Sequence, residues 1–538
     1  MTALRSGPRA RAGPSAPLAV AAVVVAAGAS LPLVYLVVRA ASGGPAAWEV
    51  LWRAQTVATV GRTIVLVAAV TAAATLVGGA LAWLVERTDL PLCRVWAVAA
   101  ALPLVVPSYV AALALLATVG PGGALAESLP TGARLPDVTG FPGAALALTL
   151  ATYPYVYLLA SAALRRADPA LEEAARGLGR SPVAVAREVT LPAARPALGA
   201  GALLAALYTL SDFGVVSLMR HDVLTRVIFQ QYRSLFDRTP AAVLGLVLVV
   251  LTALVLVLEV RARGRAAAEA APAAPRRAAP LALGPWRWPA LAGCAAVVGL
   301  ALVLPAAVLV LWALRGADDG LSLAGALLAP AAGSLGVSLL AALAAVAAAL
   351  PVALVAVRSP RRWTLALERL AYGANALPGV VVALALVFFA ARYGGPLYGT
   401  LALLLFAYVV RFLPQALSGA RTALVGVNPR LEEAARALGR GPRAAFAAVT
   451  VPLAAPGLLA GAALVFLSTM KELPVTLLLR PIGFDTLATE VWSATSVSSY
   501  SRAAPAALLL IAASAPIVLR MVVRRDGRRA EADALGAG

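Results

Sequence analysis

Long runs of apolar residues, separated by short polar segments, fill almost the whole chain. Twelve runs are long enough to cross a membrane as helices, because about 20 apolar residues span the hydrocarbon core. The pattern therefore predicts an all-α polytopic membrane protein. The predicted spans are 17–41, 63–85, 96–119, 141–164, 196–219, 240–260, 289–314, 333–357, 371–392, 398–420, 456–479 and 503–523.

One polar segment occurs twice. Residues 169–198 and 429–458 align without a gap at an offset of 260, so that Glu173 matches Glu433. A repeat over such a distance indicates two equivalent halves. The predicted domains are a first half of six spans at 1–260 with a polar loop at 165–198, an Ala/Pro/Arg-rich linker at 261–288, and a second half of six spans at 289–538 with a polar loop at 425–458.

Each copy, which we call the first bracket (169–198) and the second bracket (429–458), carries signals for two short helices. Asp168-Pro169 begins a helix with an N-cap and a proline at the first helical position, as does Asn428-Pro429. Gly179 and Gly439 are placed to end it. One such copy is more often an ordinary loop, but two at matching places favour a docking surface for a partner protein.

The spacing of the brackets resembles the cytoplasmic signature of permease subunits of binding-protein-dependent ABC importers. That signature is Glu-Ala-Ala, three residues, Gly, nine residues, Val, one residue, and Leu-Pro. The resemblance implies the type I importer permease fold and contact of these residues with separate ATPase subunits. The matching residues are Glu173, Ala174, Ala175, Gly179 and Pro192, then Glu433, Ala434, Ala435, Gly439 and Pro452, with Val451 where leucine is usual.

Composition excludes a soluble protein, since 61% of the residues are hydrophobic, 13% are charged and the mean hydropathy is +0.88. The net charge of +20 comes almost entirely from arginine, because Lys471 is the only lysine. In a membrane protein, such charge orients helices and meets anionic lipid rather than nucleic acid. Cys93 and Cys294 are isolated and His221 is the only histidine, so no metal site is predicted.

The arginines also predict the orientation of the spans. With the N-terminus inside, the basic lead at 1–16, both brackets, the linker and the C-terminal tail all fall on the cytoplasmic side. The arginines near 220–239 and 480–502 would lie on the outer side, against the rule that basic residues concentrate on the cytoplasmic side. Both halves then have the same orientation, which predicts a path between them.

The chain carries no nucleotide site of its own. A phosphate-binding P-loop ends in Gly-Lys-Ser/Thr, and the only lysine lies in Met470-Lys471-Glu472. We therefore predict no catalytic residues and no cofactor bound by this chain. Energy must come from ATP used by a partner subunit, or from an ion gradient.

A second repeated feature lies one span after each bracket. Asp212 and Glu472 coincide at the offset of 260, and Lys471 and Pro474 flank the second of them. A charged residue inside a span costs about 2.5–3.5 kcal/mol, so it usually faces a pathway or a partner. These four residues are candidates for a translocation path or gate. The alternative is structural, with Lys471 and Glu472 neutralising one another or a neighbouring helix.

Residues 211–232 and 471–492 are similar to regions of ferric-iron ABC permeases that carry both halves in one chain. Permeases for thiamine, phosphonates, polyamines and molybdate share much of the pattern. The resemblance implies two ATPase copies, an extracytoplasmic solute-binding protein, and a bacterial inner membrane with both termini cytoplasmic. A proton-coupled transporter using Asp212 and Glu472 is the alternative, but it gives the brackets no role. A membrane enzyme lacks the required residue clusters.

Overall fold

A computed structural model of this protein describes residues 15–120, 123–125, 137–234, 239–269, 280–316 and 320–535. Residues 1–14 of the predicted basic lead and 270–279 of the predicted linker lie outside these ranges. The α-helices, numbered in chain order, are α1 (Ala16–Ser42), α2 (Gly44–Trp48), α3 (Ala54–Arg87), α4 (Cys93–Ala99), α5 (Ser108–Val119), α6 (Gly140–Arg166), α7 (Pro169–Gly177), α8 (Pro182–Val185), α9 (Leu191–Ser211), α10 (Gly214–Leu218), α11 (Leu224–Ser234), α12 (Thr239–Glu269), α13 (Arg287–Val298), α14 (Leu304–Arg315), α15 (Gly320–Arg358), α16 (Arg362–Gly373), α17 (Gly379–Phe389), α18 (Leu401–Val425), α19 (Pro429–Ala437), α20 (Pro442–Ala445), α21 (Val451–Met470), α22 (Pro474–Leu479), α23 (Leu487–Ser496) and α24 (Tyr500–Leu535).

The predicted all-α membrane protein is confirmed. Eleven helices in the described ranges are long and apolar enough to cross a membrane, and a bent pair makes up to twelve. The pair joins Cys93–Val105 to Ser108–Val119 at an angle of 93°. Pro107 explains the bend, because proline has no backbone N–H to donate and disfavours helical backbone in the residue before it. Val106 is accordingly extended.

Most spans differ somewhat from their predicted bounds, and two are displaced by eight or more residues at both ends. The predicted span 196–219 is observed as Val183–Ser211, and 456–479 is observed as Pro442–Met470. Each of these spans begins inside a bracket. The second helix of each bracket continues into the span through a π-helical turn, which is Ala186–Thr190 in the first bracket and Phe446–Thr450 in the second. Pro192 and Pro452 follow these turns, and the wider turn accommodates a proline that cannot donate to the preceding carbonyl.

The chain forms two compact units. The larger unit comprises Ala40–Ala331 and Asp485–Gly538. Helices α3, α6, α9 and α12 pack together in it. Gly78 of α3 allows close approach to α6, since a Cβ there would lie 2.6 Å from the Tyr153 carbonyl oxygen. Small residues at such crossings are typical of membrane helix pairs.

The smaller unit comprises Ala332–Phe484 together with the chain up to Arg39. Its main contact is between α18 and α21. A Cβ on Gly419 would lie 2.8 Å from the Gly461 Cα, so the two backbones touch where glycine faces glycine. This close crossing holds the second bracket, which leads into α21, against α18.

Candidate functional site

The two brackets fold alike. Asp168 accepts a hydrogen bond from the Ala170 N–H at 2.9 Å, and Asn428 accepts one from the Arg430 N–H at 3.1 Å, so each first helix has its N-cap. Two residues after each of these helices ends, at Gly177 and Ala437, comes a glycine with a left-handed backbone, Gly179 at φ +79° and Gly439 at φ +87°. Only glycine adopts this conformation without strain.

A buried polar network fixes the first bracket to α3. Glu172 forms an ion pair with Arg87, the last residue of α3, and accepts a hydrogen bond from the Thr190 hydroxyl at 2.6 Å. The Arg87 and Glu172 side chains are each only 7% exposed. We call these three residues the first anchor. It joins the two bracket helices to the end of a membrane span.

The second bracket repeats the network as the second anchor. Glu432 forms an ion pair with Arg358, the last residue of α15, and accepts a hydrogen bond from the Thr450 hydroxyl at 2.8 Å. Arg436 adds a further ion pair to Glu432 at 2.7 Å. Arg358 is 40% exposed, and its guanidinium carbon lies 5.3 Å from the centre of the Phe446 ring. The second anchor is therefore the more hydrated of the two.

The residues of the sequence signature lie mainly on the opposite, exposed face. Glu173 and Glu433 are exposed, unlike their neighbours Glu172 and Glu432. Ala174 and Ala434 are exposed, Ala175 and Ala435 are half-buried, Pro192 is half-buried and Pro452 is exposed. Beside them, Leu178 is 84% exposed and Leu438 is 86% exposed. Exposed leucines at matching points of the two brackets make these faces candidates for contact with a partner.

The second anchor predicts a pH dependence. Burial raises the pKa of the Glu432 carboxyl, but hydrogen bonds from Thr450 and Arg358 and the nearby arginine charges outweigh burial, so the pKa lies below the usual 4.5. The anchor should thus be fully stabilising above about pH 5 and lose this stabilisation as the pH falls below 4.5. Hydrogen exchange of the second bracket, corrected for intrinsic rates, should accelerate over that range. Glu432→Gln should abolish the transition, and a transition that persists in this variant would assign it to another group.

Asp212 lies at a break between helices rather than inside a span. It follows the last residue of α9 in extended conformation, and α10 begins two residues later. Its carboxylate is buried and accepts hydrogen bonds from the Ser108 hydroxyl at 2.7 Å and the Val215 N–H at 2.9 Å. Asp212 thus connects the start of α5, after the bend at Pro107, to the break after α9.

Glu472 occupies the equivalent break in the smaller unit. Its carboxylate accepts a hydrogen bond from the Val475 N–H at 3.4 Å. Across Gly379 it faces Arg411, since a Cβ on Gly379 would lie 2.7 Å from Glu472 Oε1 and 3.4 Å from Arg411 Nε. Lys471 directly follows the end of α21, and Pro474 is the first residue of α22. Pro474 therefore begins a short helix of its own.

The break at Asp212 supports a test that separates charge from structure. Asparagine in place of Asp212 can still accept the Val215 N–H bond, so Asp212→Asn should reach the membrane in normal amount. If the charge lines a path, transport should fall by about tenfold, which corresponds to a barrier raised by about 1.4 kcal/mol. Asp212→Ala serves as the comparison, because it removes both acceptors. Normal transport by Asp212→Asn would make Asp212 a helix cap alone.

Sequence reasoning missed the anchors. The arginines Arg87 and Arg358 each close a span, and the threonines Thr190 and Thr450 stand in matching Val-Thr-X-Pro runs. The threonines lie in the repeat, whereas the arginines lie outside it and are 271 residues apart rather than 260. Each Glu-Glu pair has one buried and one exposed member. The sequence pattern alone does not show which of the two is buried. Arg411 has no counterpart at the offset of 260, where the first half has Ala151.

No group of three His, Cys, Asp or Glu side chains that could hold a metal ion occurs within the ranges the structure describes. The brackets and the two breaks are the candidate functional sites. They are built from ion pairs, helix caps and exposed leucines.

Comparison with known proteins identifies a family. Residues 74–262 and 341–525 each match the family model described as "Binding-protein-dependent transport system inner membrane component". An Fe(3+)-transport system permease protein of Haemophilus influenzae is 32% identical over 89% of this chain and 93% of its own length. A probable ABC transporter permease protein of Sinorhizobium fredii is 27% identical over 78% of this chain and 79% of its own. A probable molybdenum ABC transporter permease protein of Haloferax volcanii is 34% identical over 22% of this chain and 43% of its own.

Proposed function

Because this chain belongs to the family of inner membrane components of binding-protein-dependent transport systems, we propose that it is an importer permease moved by two separate ATPase subunits, one on each bracket. Its solute is ferric iron, delivered by an extracytoplasmic binding protein. The chain itself binds no cofactor, and ATP is used by the partner subunits. Both brackets and both termini are cytoplasmic, in line with the positions of most arginines.

The observation that carries this proposal is the repeated bracket, exposed on one face and anchored on the other. Exposed Leu178 and Leu438 offer apolar contacts to a partner. Behind them, Glu172 and Glu432 connect the brackets to the ends of α3 and α15. A force applied to a bracket therefore reaches the membrane spans through a charged contact, and each bracket also continues directly into a span.

Ferric iron is supported by the relative from Haemophilus influenzae, whose similarity extends over 89% of this chain. The similarity to the molybdenum relative extends over only 22% of this chain and gives weaker support. The alternative is another small solute, imported by a permease of the same class. The solute path is proposed to pass the breaks at Asp212 and Glu472. The ends of α9 and α21 at these breaks would supply the hinges of a gate.

Transport by the full chain in proteoliposomes tests the proposal. Vesicles holding this chain and its ATPase should take up radioactive iron when ATP is inside and the iron-loaded binding protein is outside. Uptake should stop with a non-hydrolysable ATP analogue. Each solute is presented on its own binding protein. Uptake of molybdate but not of iron would identify molybdate as the solute. Uptake driven by a proton gradient without any ATPase would overturn the proposal in favour of a secondary transporter.

A further inference from the structure

The last part of the linker pairs with the chain directly after α3. The Leu281 N–H donates to the Arg87 carbonyl at 2.8 Å, and the Asp89 N–H donates to the Leu281 carbonyl at 3.1 Å. The Asp89 carboxylate accepts hydrogen bonds from the Leu283 N–H at 2.8 Å and the Arg287 guanidinium at 2.9 Å. We call residues 281–287 the linker cover. Asp89 contributes both its backbone and its side chain to holding it.

The linker cover reaches the first anchor. Leu281 lines a small cavity together with Arg87, Glu172 and Thr190, and Ala186 of the π-helical turn lines the same cavity. Leu281 thus supplies apolar surface beside an ion pair that is almost completely shielded from water. An ion pair is stronger where water is excluded, because the local dielectric constant is lower.

The second anchor has a different cover. Phe446 lies over Arg358, and at the offset of 260 it matches Ala186, which is too small to cover Arg87. Aligning the two arginines places Pro360 opposite Asp89. A proline offers neither a carboxylate nor a backbone N–H. Along the described parts of the chain, the Thr88–Leu281 bridge has no equivalent at the second anchor.

We propose that the linker cover is a positioning element of the first anchor, and that Asp89 is the residue that positions it. This inference rests on the proposed role of the brackets in ATPase coupling. The linker then does more than connect two halves, because it supplies the apolar contact that the first bracket lacks. The two ATPase docking sites become unequal: the first depends on the linker, whereas the second carries its own cover in Phe446.

The contact does not depend on a titration near neutral pH. Hydrogen bonds from the Leu283 N–H and from Arg287 lower the pKa of the Asp89 carboxyl, so the carboxylate is charged. The Asp89 and Arg287 side chains are partly exposed. Exposed ion pairs contribute little by themselves, so the hold on the linker cover comes from the combined side-chain and backbone hydrogen bonds.

Hydrogen exchange on the full chain in lipid nanodiscs, without ATPase, tests the contact. Asp89→Ala should accelerate exchange at the Leu281 and Leu283 amides by about tenfold, since one acceptor is lost and the pairing loosens. Exchange in the first bracket should rise with them, while the second bracket stays unchanged. Asp89→Asn should be intermediate, because its oxygen still accepts the Leu283 N–H bond. Pro360→Ala is the matched control and should leave both brackets as in the wild type.

The ratio of solute transported to ATP hydrolysed tests the positioning role. With ATPase and binding protein present, Asp89→Ala should lower this ratio about fivefold at normal protein level, with partial recovery in Asp89→Asn. An unchanged ratio, or unchanged exchange at Leu281, would overturn the inference. The double variant Gly179→Val/Gly439→Val is measured in parallel. If it lowers the ratio and Asp89→Ala does not, only the linker inference fails. If neither lowers it, the proposed function of the brackets fails.

Discussion

Arg87→Ala should release the first bracket from α3 and stop transport. The substitution removes the ion-pair partner of the buried Glu172 and leaves the hydrogen bond from the Thr190 hydroxyl, with Arg176 lining the same cavity. Removing one member of a buried ion pair costs about 3–5 kcal/mol, because the other charge stays buried and unpaired. Local opening of the first bracket should then be more frequent by about 100-fold or more. Hydrogen exchange of residues 169–192 would measure this opening directly, and proteoliposome uptake would measure its consequence.

The matched control is Arg358→Ala at the second anchor. Arg358 is 40% exposed, and Arg436 remains 2.7 Å from Glu432 after the substitution. Glu432 is itself only 7% exposed, but it keeps Arg436 as a partner, so exchange in the second bracket should change by less than about tenfold. Equal effects of the two substitutions, or a larger effect of Arg358→Ala, would contradict the prediction that the more buried ion pair holds its bracket more strongly. Glu172→Gln should also open the first bracket, because it leaves the buried Arg87 guanidinium without its counter-charge.

Gly179→Val combined with Gly439→Val should uncouple ATP hydrolysis from transport while the chain remains folded. No atom lies within 4 Å of a Cβ added at either glycine, so the cost is in the backbone alone. A β-branched residue at positive φ costs about 1–3 kcal/mol, which is enough to rearrange the turn between the bracket helices. Transport per ATP should fall by about 5–150-fold, as measured in the reconstituted system.

Gly177→Val provides the control for this double variant. Gly177 lies two residues before Gly179, also has no atom within 4 Å of an added Cβ, and is not at positive φ. The second bracket already has Ala437 at the matching position. Gly177→Val should therefore transport close to normally. Full coupling in the double variant, with normal protein level, would remove the bracket turns from the mechanism.

The spans and brackets could be predicted because their causes are local. Apolar runs of about 20 residues report membrane helices whatever their neighbours, and Asp168-Pro169 and Gly179 report helix ends through backbone chemistry. The helix breaks at Asp212 and before Pro474 were misjudged, since the apolar run continues through them. Whether such a run remains one helix depends on tertiary contacts, here the Ser108 hydroxyl that binds Asp212.

The anchors could not be predicted because they join distant segments. Arg87 and Glu172 are 85 residues apart, and Leu281 follows Glu172 only after two further spans. A sequence pattern shows which residue types recur but not which side chain turns inward. For that reason the sequence signature drew attention to Glu173, which is exposed, while its neighbour Glu172 carries the contact with α3. Roles for Asp212, Lys471 and Glu472 in a path stay predictions.

Counting the ATPase subunits bound to this chain tests the account most directly. Native mass spectrometry of the complex in mild detergent should show two ATPase copies on one permease. Leu178→Asp and Leu438→Asp, at two exposed positions that the fold does not need, should each remove one copy, and together both. Ile482→Asp, at an equally exposed apolar residue outside the brackets, should remove none. Two copies retained on the Leu178→Asp/Leu438→Asp double variant would contradict the assignment of the brackets as ATPase-binding sites.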